Sequence, residues 1–264
     1  MADKKGGLRP DFATIGGLVL AGVGILGGLL LEGGQMKDIV QVTAALIVVG
    51  GTVGSVMVNT PLSTLIAACR RLHSVIFESA HNPQHRIEVL IDFATKARKG
   101  GLVALEREVQ ALDDPFLKKA LSLAMDGSDL KEIRAMLELE MTATEGRADQ
   151  EAKVFESAGG YAPTIGIIGA VLGLIQVMKN LSDVNEVGHG IAVSFVATVY
   201  GVALANILLL PAANKIKARA HEEVCVMEIT MEGVTGIVEG LNPKLLRVKL
   251  EVFAPPSAAL KKAK

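Results

Sequence analysis

Pro163, Thr164, Ser194, Thr198, Tyr200, Asn206 and Pro211 are the groups with chemistry to offer in two long apolar runs. The runs read GGYAPTIGIIGAVLGLIQVM (159–178) and GIAVSFVATVYGVALANILLLPAAN (190–214). Hydroxyls and an amide at several depths offer oxygen to a passing ion. A proline inside a helix frees the carbonyl four residues before it. Pro163 and Pro211 both fall toward one end of their runs, at matching depth, which points to paired hinges or a polar lining. The plainer alternatives are that Thr bonds back to its own helix and that proline is common in membrane helices. Ion and proton relays in apolar surroundings use Asp, Glu or His, and neither run holds one; His189, just before the second run, sits at its outer edge and reads as solvated. Either the chain conducts nothing, or the titrating carboxylate comes from another chain. No catalytic set, cofactor motif or metal-ligand cluster is evident.

The elements that must hold these groups follow from hydropathy. Half of the 264 residues are hydrophobic, mean hydropathy is +0.42, and there is no Trp. The apolar residues are concentrated in 11–31, 39–58, 157–178 and 190–213, each nearly free of charge. About 20 such residues cross roughly 30 Å of hydrocarbon as a helix. Four membrane spans are therefore expected in an all-α integral membrane protein. The first run is too long for a signal-peptide core, and no small-x-small site follows Leu31, so it reads as an uncleaved span.

Lys4, Lys5 and Arg9 precede the first run, Arg70 and Arg71 follow the second, and Lys215, Lys217 and Arg219 follow the fourth. The short connections carry only Lys37 and Lys179, beside Glu32, Asp38, Asp183 and Glu186. The positive-inside rule then puts both termini and the long middle segment in the cytoplasm. The net charge of −1 sums over this asymmetry and implies no nucleic-acid partner. Cys69 and Cys225 both fall on the reducing side, with no metal-site spacing.

The middle segment is helical in pattern. An amphipathic helix is expected over 62–77, and another over 85–99 with Ile87, Leu90, Ile91 and Ala94 on one face. Gly100-Gly101 ends it, and 102–112 forms the return arm. Asp113-Asp114-Pro115 starts a further helix. Ser128 reads as an N-cap for a helix over 129–156 that runs on into the third span. A helix over 215–239 follows the fourth span, then a polar, Lys-rich tail. No strand pattern is present. Gly169 and Gly173 make a GxxxG packing motif, for which tight helix packing is the plain reading.

Three stretches carry a family resemblance: YAPTIGIIGAVLGLIQVM (161–178), SFVATVYGVALANILLLPAANKIK (194–217) and GIVEGLNPKLLRVKLEVFAPP (236–256). They resemble the MotA/PomA stator subunits of the bacterial flagellar motor, within the MotA/TolQ/ExbB proton-channel superfamily. ARKGGLVALEREV (97–109) extends the match into the cytoplasmic loop, so it covers nearly the whole chain. Lys244, where Arg is usual, is a mild departure. The TolQ/ExbB branch, which energises outer-membrane processes, has three spans and is disfavoured; a passive membrane scaffold is the alternative from another class.

The resemblance implies a homopentamer around two single-span, MotB-like B-subunits, each supplying the proton-accepting Asp missing here. Ion passage would turn the ring against the rotor switch protein FliG. The family's functional prolines map onto Pro163 and Pro211 and its polar fourth-span residue onto Thr198, with Thr164 and Tyr200 as further path candidates. Its rotor-contact Arg and Glu map onto Arg98 and Glu106, with Lys99 beside them; on spacing alone, helix-dipole complementation would explain these charges. Ala170 occupies a position where sodium-driven relatives carry Thr and proton-driven ones Ala, implying proton coupling. The expected organisation is 1–60 with spans one and two, 61–156 as the rotor-interaction region, 157–214 as spans three and four lining the path, and 215–264 as the C-terminal helix and tail.

Overall fold

The computed structural model describes residues 9–78, 82–179 and 184–253. Lys4, Lys5, Asp183 and the Lys-rich tail lie outside them, as does the side chain of His189. Four helices are long and apolar enough to span a membrane: Phe12–Leu31, Met36–Asn59, and the apolar parts of Leu130–Lys179 and Gly190–Val238. The described residues divide into one unit within 9–78 and 148–218 and another within 82–147 and 219–253.

In the first unit Asp11 caps the first span, accepting the N–H groups of Ala13 and Thr14 at 3.0 and 3.1 Å. That span buries no residue. The second span is interrupted at Val40–Gln41, resumes at Val42–Ala45, passes through a π-helical Leu46–Gly50 and ends as Gly51–Asn59. The third span is the end of one unbroken helix, Leu130–Lys179, as its sequence leads one to expect. Its cap is Asp129, not Ser128: the Asp129 carboxylate accepts the Lys131 N–H at 3.4 Å. The fourth span runs through Val184–Ala203, a π-helical Leu204–Leu209, and Leu210–Val238. The π segment lies directly before Pro211, whose ring would otherwise press on the Ile207 carbonyl; widening the turn relieves that clash.

The amphipathic stretch after the second span is shorter than 62–77. It forms Leu62–Arg71 and His73–Ile76, then turns extended so that Phe77–Glu78 pairs antiparallel with Arg9–Pro10. This two-residue ladder has no sequence pattern behind it. Val56, Ala68, Val75, Phe155, Ala213 and Ile216 make one buried cluster of this unit, and Ala44, Val48, Val196 and Ala197 another.

The other unit is a helical domain around Ile87, Leu90, Leu105, Leu117, Leu121, Ile133, Leu137 and Ile229, all inaccessible or nearly so. A helix over Pro243–Glu251, capped by Asn242, seats Leu246 and Leu250 in the same core. Glu232 is only 13% exposed and takes Arg134 at 2.6 Å and Lys249 at 2.6 Å. The Arg134 hydrogen bond holds its carboxyl below the ordinary Glu range, against burial that pushes the other way; Lys249 adds to the lowering.

Candidate functional site

The third and fourth spans meet along a seam of small residues. A Cβ built on Gly201 would lie 2.5 Å from the Ala162 carbonyl oxygen and 3.2 Å from Gly166 Cα. One on Gly166 would lie 2.9 Å from the Ala197 carbonyl oxygen, one on Gly169 2.9 Å from Ala197 Cβ, and one on Gly173 3.1 Å from the Gly190 carbonyl oxygen. The glycines therefore set backbone-to-backbone contact, as small residues do in membrane helix pairs. The plain reading of Gly169 and Gly173 as packing residues stands. Ile47 and Ile165 bring the second span to the same place: Ile47 Cγ2 lies 3.4 Å from a Cβ on Gly169, and Ile165 Cγ2 2.7 Å from one on Gly51.

This antiparallel register corrects the expected matching depth of the prolines. Pro163 falls level with the region just after Gly201, whereas Pro211 lies ten residues beyond Gly201. What does coincide is the freed carbonyl: Pro163 releases that of Gly159, and Leu210, next to Pro211, packs on Gly159 at 2.6 Å from its would-be Cβ.

The path candidates divide by their partners. The Thr164 hydroxyl donates to the Tyr161 carbonyl at 2.8 Å and is exposed. The half-buried Thr198 hydroxyl donates to the Ser194 carbonyl at 3.4 Å, and buried Ser194 to that of Gly190 at 2.8 Å. The Asn206 amide donates to the Val202 carbonyl at 2.9 Å. Each is back-bonded to its own helix, yet each hydroxyl keeps lone pairs with which to accept or ligate. Tyr200 differs. Its hydroxyl donates to the Ile39 carbonyl and accepts the Gln41 N–H at 3.2 Å, bridging the break in the second span. Ala170 is half-buried beside the seam. Among the described residues no group of His, Cys, Asp and Glu is arranged to hold a metal ion.

Sequence reasoning passes over Thr52, whose Oγ1 is buried with no hydrogen-bond partner among the described residues. It sits at i+4 spacing between the buried Val48 and Val56; a hydroxyl on an otherwise apolar helix face is the signal that could have found it. The apolar faces turned away from the seam, with Ile167, Ile168, Val171 and Ile175 on the third span and Phe195 and Val199 on the fourth, stay exposed in the single chain.

The second constellation sits on the hairpin. Arg98 and Lys99 close the last turn of Pro83–Gly100, and Gly101 reverses the chain at φ 74°, a conformation that suits glycine. A tight Leu102–Leu105 turn leads to Glu106, first residue of Glu106–Gln110. Lys96 clips the two arms together through Glu108 at 2.6 Å and pairs with Asp92 of its own helix at 2.7 Å; the hydrogen bonds it donates to Asp92 and then to Glu108 raise its pKa. Arg98, Lys99 and Glu106 are exposed and make no ion pair among the described residues.

Residues 108–229 match the model of the MotA/TolQ/ExbB proton channel family, and residues 15–101 that of the Motility protein A N-terminal region. Motility protein A of Bacillus subtilis is 37% identical over 255 residues, which are 95% of this chain and 93% of that one. Chemotaxis protein PomA of Vibrio alginolyticus is 32% identical, over 89% of this chain and 92% of its own. The fold is similar to the structure of C. jejuni MotAB, with TM-score 0.90, 35% identity, and 93% of this chain and 96% of that one covered. It is also similar to the flagellar MotAB stator complex from Bacillus subtilis, with TM-score 0.88 and 35% identity over 96% of this chain and 100% of that one.

Proposed function

The chain belongs to the MotA/TolQ/ExbB proton channel family, and from that membership we propose how its residues act. It is a stator A-subunit of the bacterial flagellar motor, a multi-pass protein of the inner membrane. It assembles with copies of itself and with a MotB-like single-span B-subunit to make an ion-driven unit that turns the rotor. One observation carries the division of labour: the third and fourth spans pack closely, offer oxygens, and hold no carboxylate. A proton or cation crossing them needs an acceptor from elsewhere, and the B-subunit's Asp is that acceptor.

In this reading both termini and the rotor-interaction region, 61–156, face the cytoplasm, as the basic residues favour. Thr198 and Thr164 offer oxygens to the path from spans three and four, within 157–214. Pro163 and Pro211 are its hinges, supported by the carbonyl freed at Gly159 and the widened turn before Pro211. Tyr200 acts at the path by holding the second span against the fourth. Ala170 offers no oxygen, whereas a dehydrating Na⁺ wants hard ligands; the coupling ion is therefore the proton. Arg98, Lys99 and Glu106 meet the rotor protein FliG through charge, supported by their exposure and by the absence of an ion pair to any of them among the described residues. The chain performs no covalent catalysis and needs no cofactor.

The test is complementation of a stator-less strain by this chain with its own B-subunit. Spreading in soft agar that disappears when the B-subunit Asp becomes Asn is the expected result. Assembly without motility, with rescue of a TonB- or TolA-dependent process instead, would move the chain to the energiser branch. Binding of cytoplasmic proteins with no Asp-dependent flux would leave a scaffold.

A further inference from the structure

We propose that the Asp11–Lys215 ion pair is a positioning tether that limits how far the fourth span moves about Pro211; the proposal rests on reading Pro211 as a hinge. Asp11 is a buried carboxylate at the foot of the first span, only 6% exposed. Contacts from several sides fix it. Its Oδ1 caps the first span through Ala13 and Thr14, its backbone N–H donates to the Ile76 carbonyl at 2.8 Å, and its Oδ2 meets Lys215 Nζ at 2.5 Å. Lys215 lies four residues, one helical turn, past Pro211. The corner that holds Asp11 is itself braced by the ladder of Arg9–Pro10 with Phe77–Glu78.

The surroundings give the hinge somewhere to go. On its seam side the fourth span is locked, with Leu210 on Gly159 and Gly201 on Ala162. On the other side a cavity of about 650 Å³ opens, walled by Leu18, Val75, Ile207, Leu208, Pro211 and Lys215. The π segment Leu204–Leu209 interrupts the regular hydrogen-bond ladder just before Pro211, and such interruptions are where helices bend. An ion pair keeps its hold out to about 4 Å, so this one tolerates a small displacement of Lys215 and resists a larger one. Low-dielectric walls strengthen the restraint. As a stability device a buried pair is weak; as a stop on a moving helix its geometry is suited.

The experiment is stepwise recovery of rotation in a stator-less cell as units join one motor. The number of steps reads assembly, and their height at high load, where drag makes speed proportional to torque, reads torque per unit. Asp11→Asn keeps the cap, since Asn caps as well as Asp, and removes the charge. The expected result is an unchanged number of steps with heights reduced roughly twofold or more, as coupling residues away from a site do. Lys215→Gln should match it, the double variant should be no worse, and Lys215→Arg should restore most of the height. Wild-type step height in Asp11→Asn, or fewer steps of normal height, overturns the tether. Pro211→Leu run in parallel separates the two ideas. If it lowers step height and Asp11→Asn does not, the tether alone fails. If Pro211→Leu is wild type, the hinge fails and the tether with it.

Discussion

Gly201→Ala puts the seam between the third and fourth spans to a quantitative trial. The new Cβ would sit 2.5 Å from the Ala162 carbonyl oxygen, where ordinary contact begins at 3.4 Å, a shortfall of 0.9 Å. Both near neighbours, Ala162 and Gly166, offer backbone atoms there, so no flexible side chain can yield and the helices must part. Overpacking of this kind costs about 1–3 kcal/mol. Gly146→Ala is the control: it lies within Leu130–Lys179, is exposed, and a Cβ there meets nothing within 4 Å. It should gain about 0.5–1 kcal/mol of helix propensity. The same propensity gain accrues at Gly201, so the difference between the variants isolates the contact. At about 2–4 °C per kcal/mol for a chain of this size, the thermal midpoint of the purified complex should lie about 2–12 °C lower for Gly201→Ala than for Gly146→Ala, which should hold or rise relative to wild type. Equal midpoints, or a larger fall for Gly146→Ala, would refute the seam.

Three further outcomes are expected. Arg98→Glu and Glu106→Lys should impair swimming while membrane level and co-purification with the B-subunit stay normal, and a reversed charge on FliG should partly restore it; simple neutralisation should be mild, because exposed pairs contribute about 0.2–1 kcal/mol. Pro163→Leu restores a helix hydrogen bond at Gly159 and should cost torque without costing expression; normal torque would leave Pro163 a passive kink. Glu232→Gln should destabilise the cytoplasmic unit by about 1–2 kcal/mol at pH 7, at the lower end for hydrogen bonds to a charged group, with Lys249 left unpaired. Since the folded-state pKa of Glu232 is lowered, its contribution is full above the unfolded value and is lost as pH falls through the folded one. Wild type and variant should therefore converge on acidification below the ordinary Glu range; a gap that is constant with pH would contradict the assignment.

What the sequence discloses follows from how directly physics writes itself into residue type. Bilayer thickness imposes run length, so the four spans are legible. Gly100-Gly101 and Asp114-Pro115 mark real chain reversals and starts. Ile87, Leu90 and Ala94 do face the core, and Ile91 packs against it partly buried. The π segments are not legible: Leu46–Gly50 and Leu204–Leu209 are composed like regular helix, and the latter is explained only by the proline that follows it. The break at Val40–Gln41 is held by Tyr200, a residue about 160 positions away. The Pro243–Glu251 helix was open to inference, since Asn242-Pro243 is an N-cap followed by proline at the first helical position; reading those residues only as a tail signature hides it. The proline offset and the Asp11–Lys215 pair needed the register of helices on one another, which no local pattern contains.

Single-motor rotation tests the central claim most directly. A bead on a flagellar stub of a stator-less cell, supplied with this chain and its B-subunit, should turn in sodium-free medium. It should stop with a protonophore and fail to turn when the B-subunit Asp becomes Asn. Rotation that ceases on sodium removal at constant proton-motive force would contradict the ion assigned through Ala170. A motor that stays still although both subunits assemble around it, or one that turns regardless of the partner's Asp, would contradict the account as a whole.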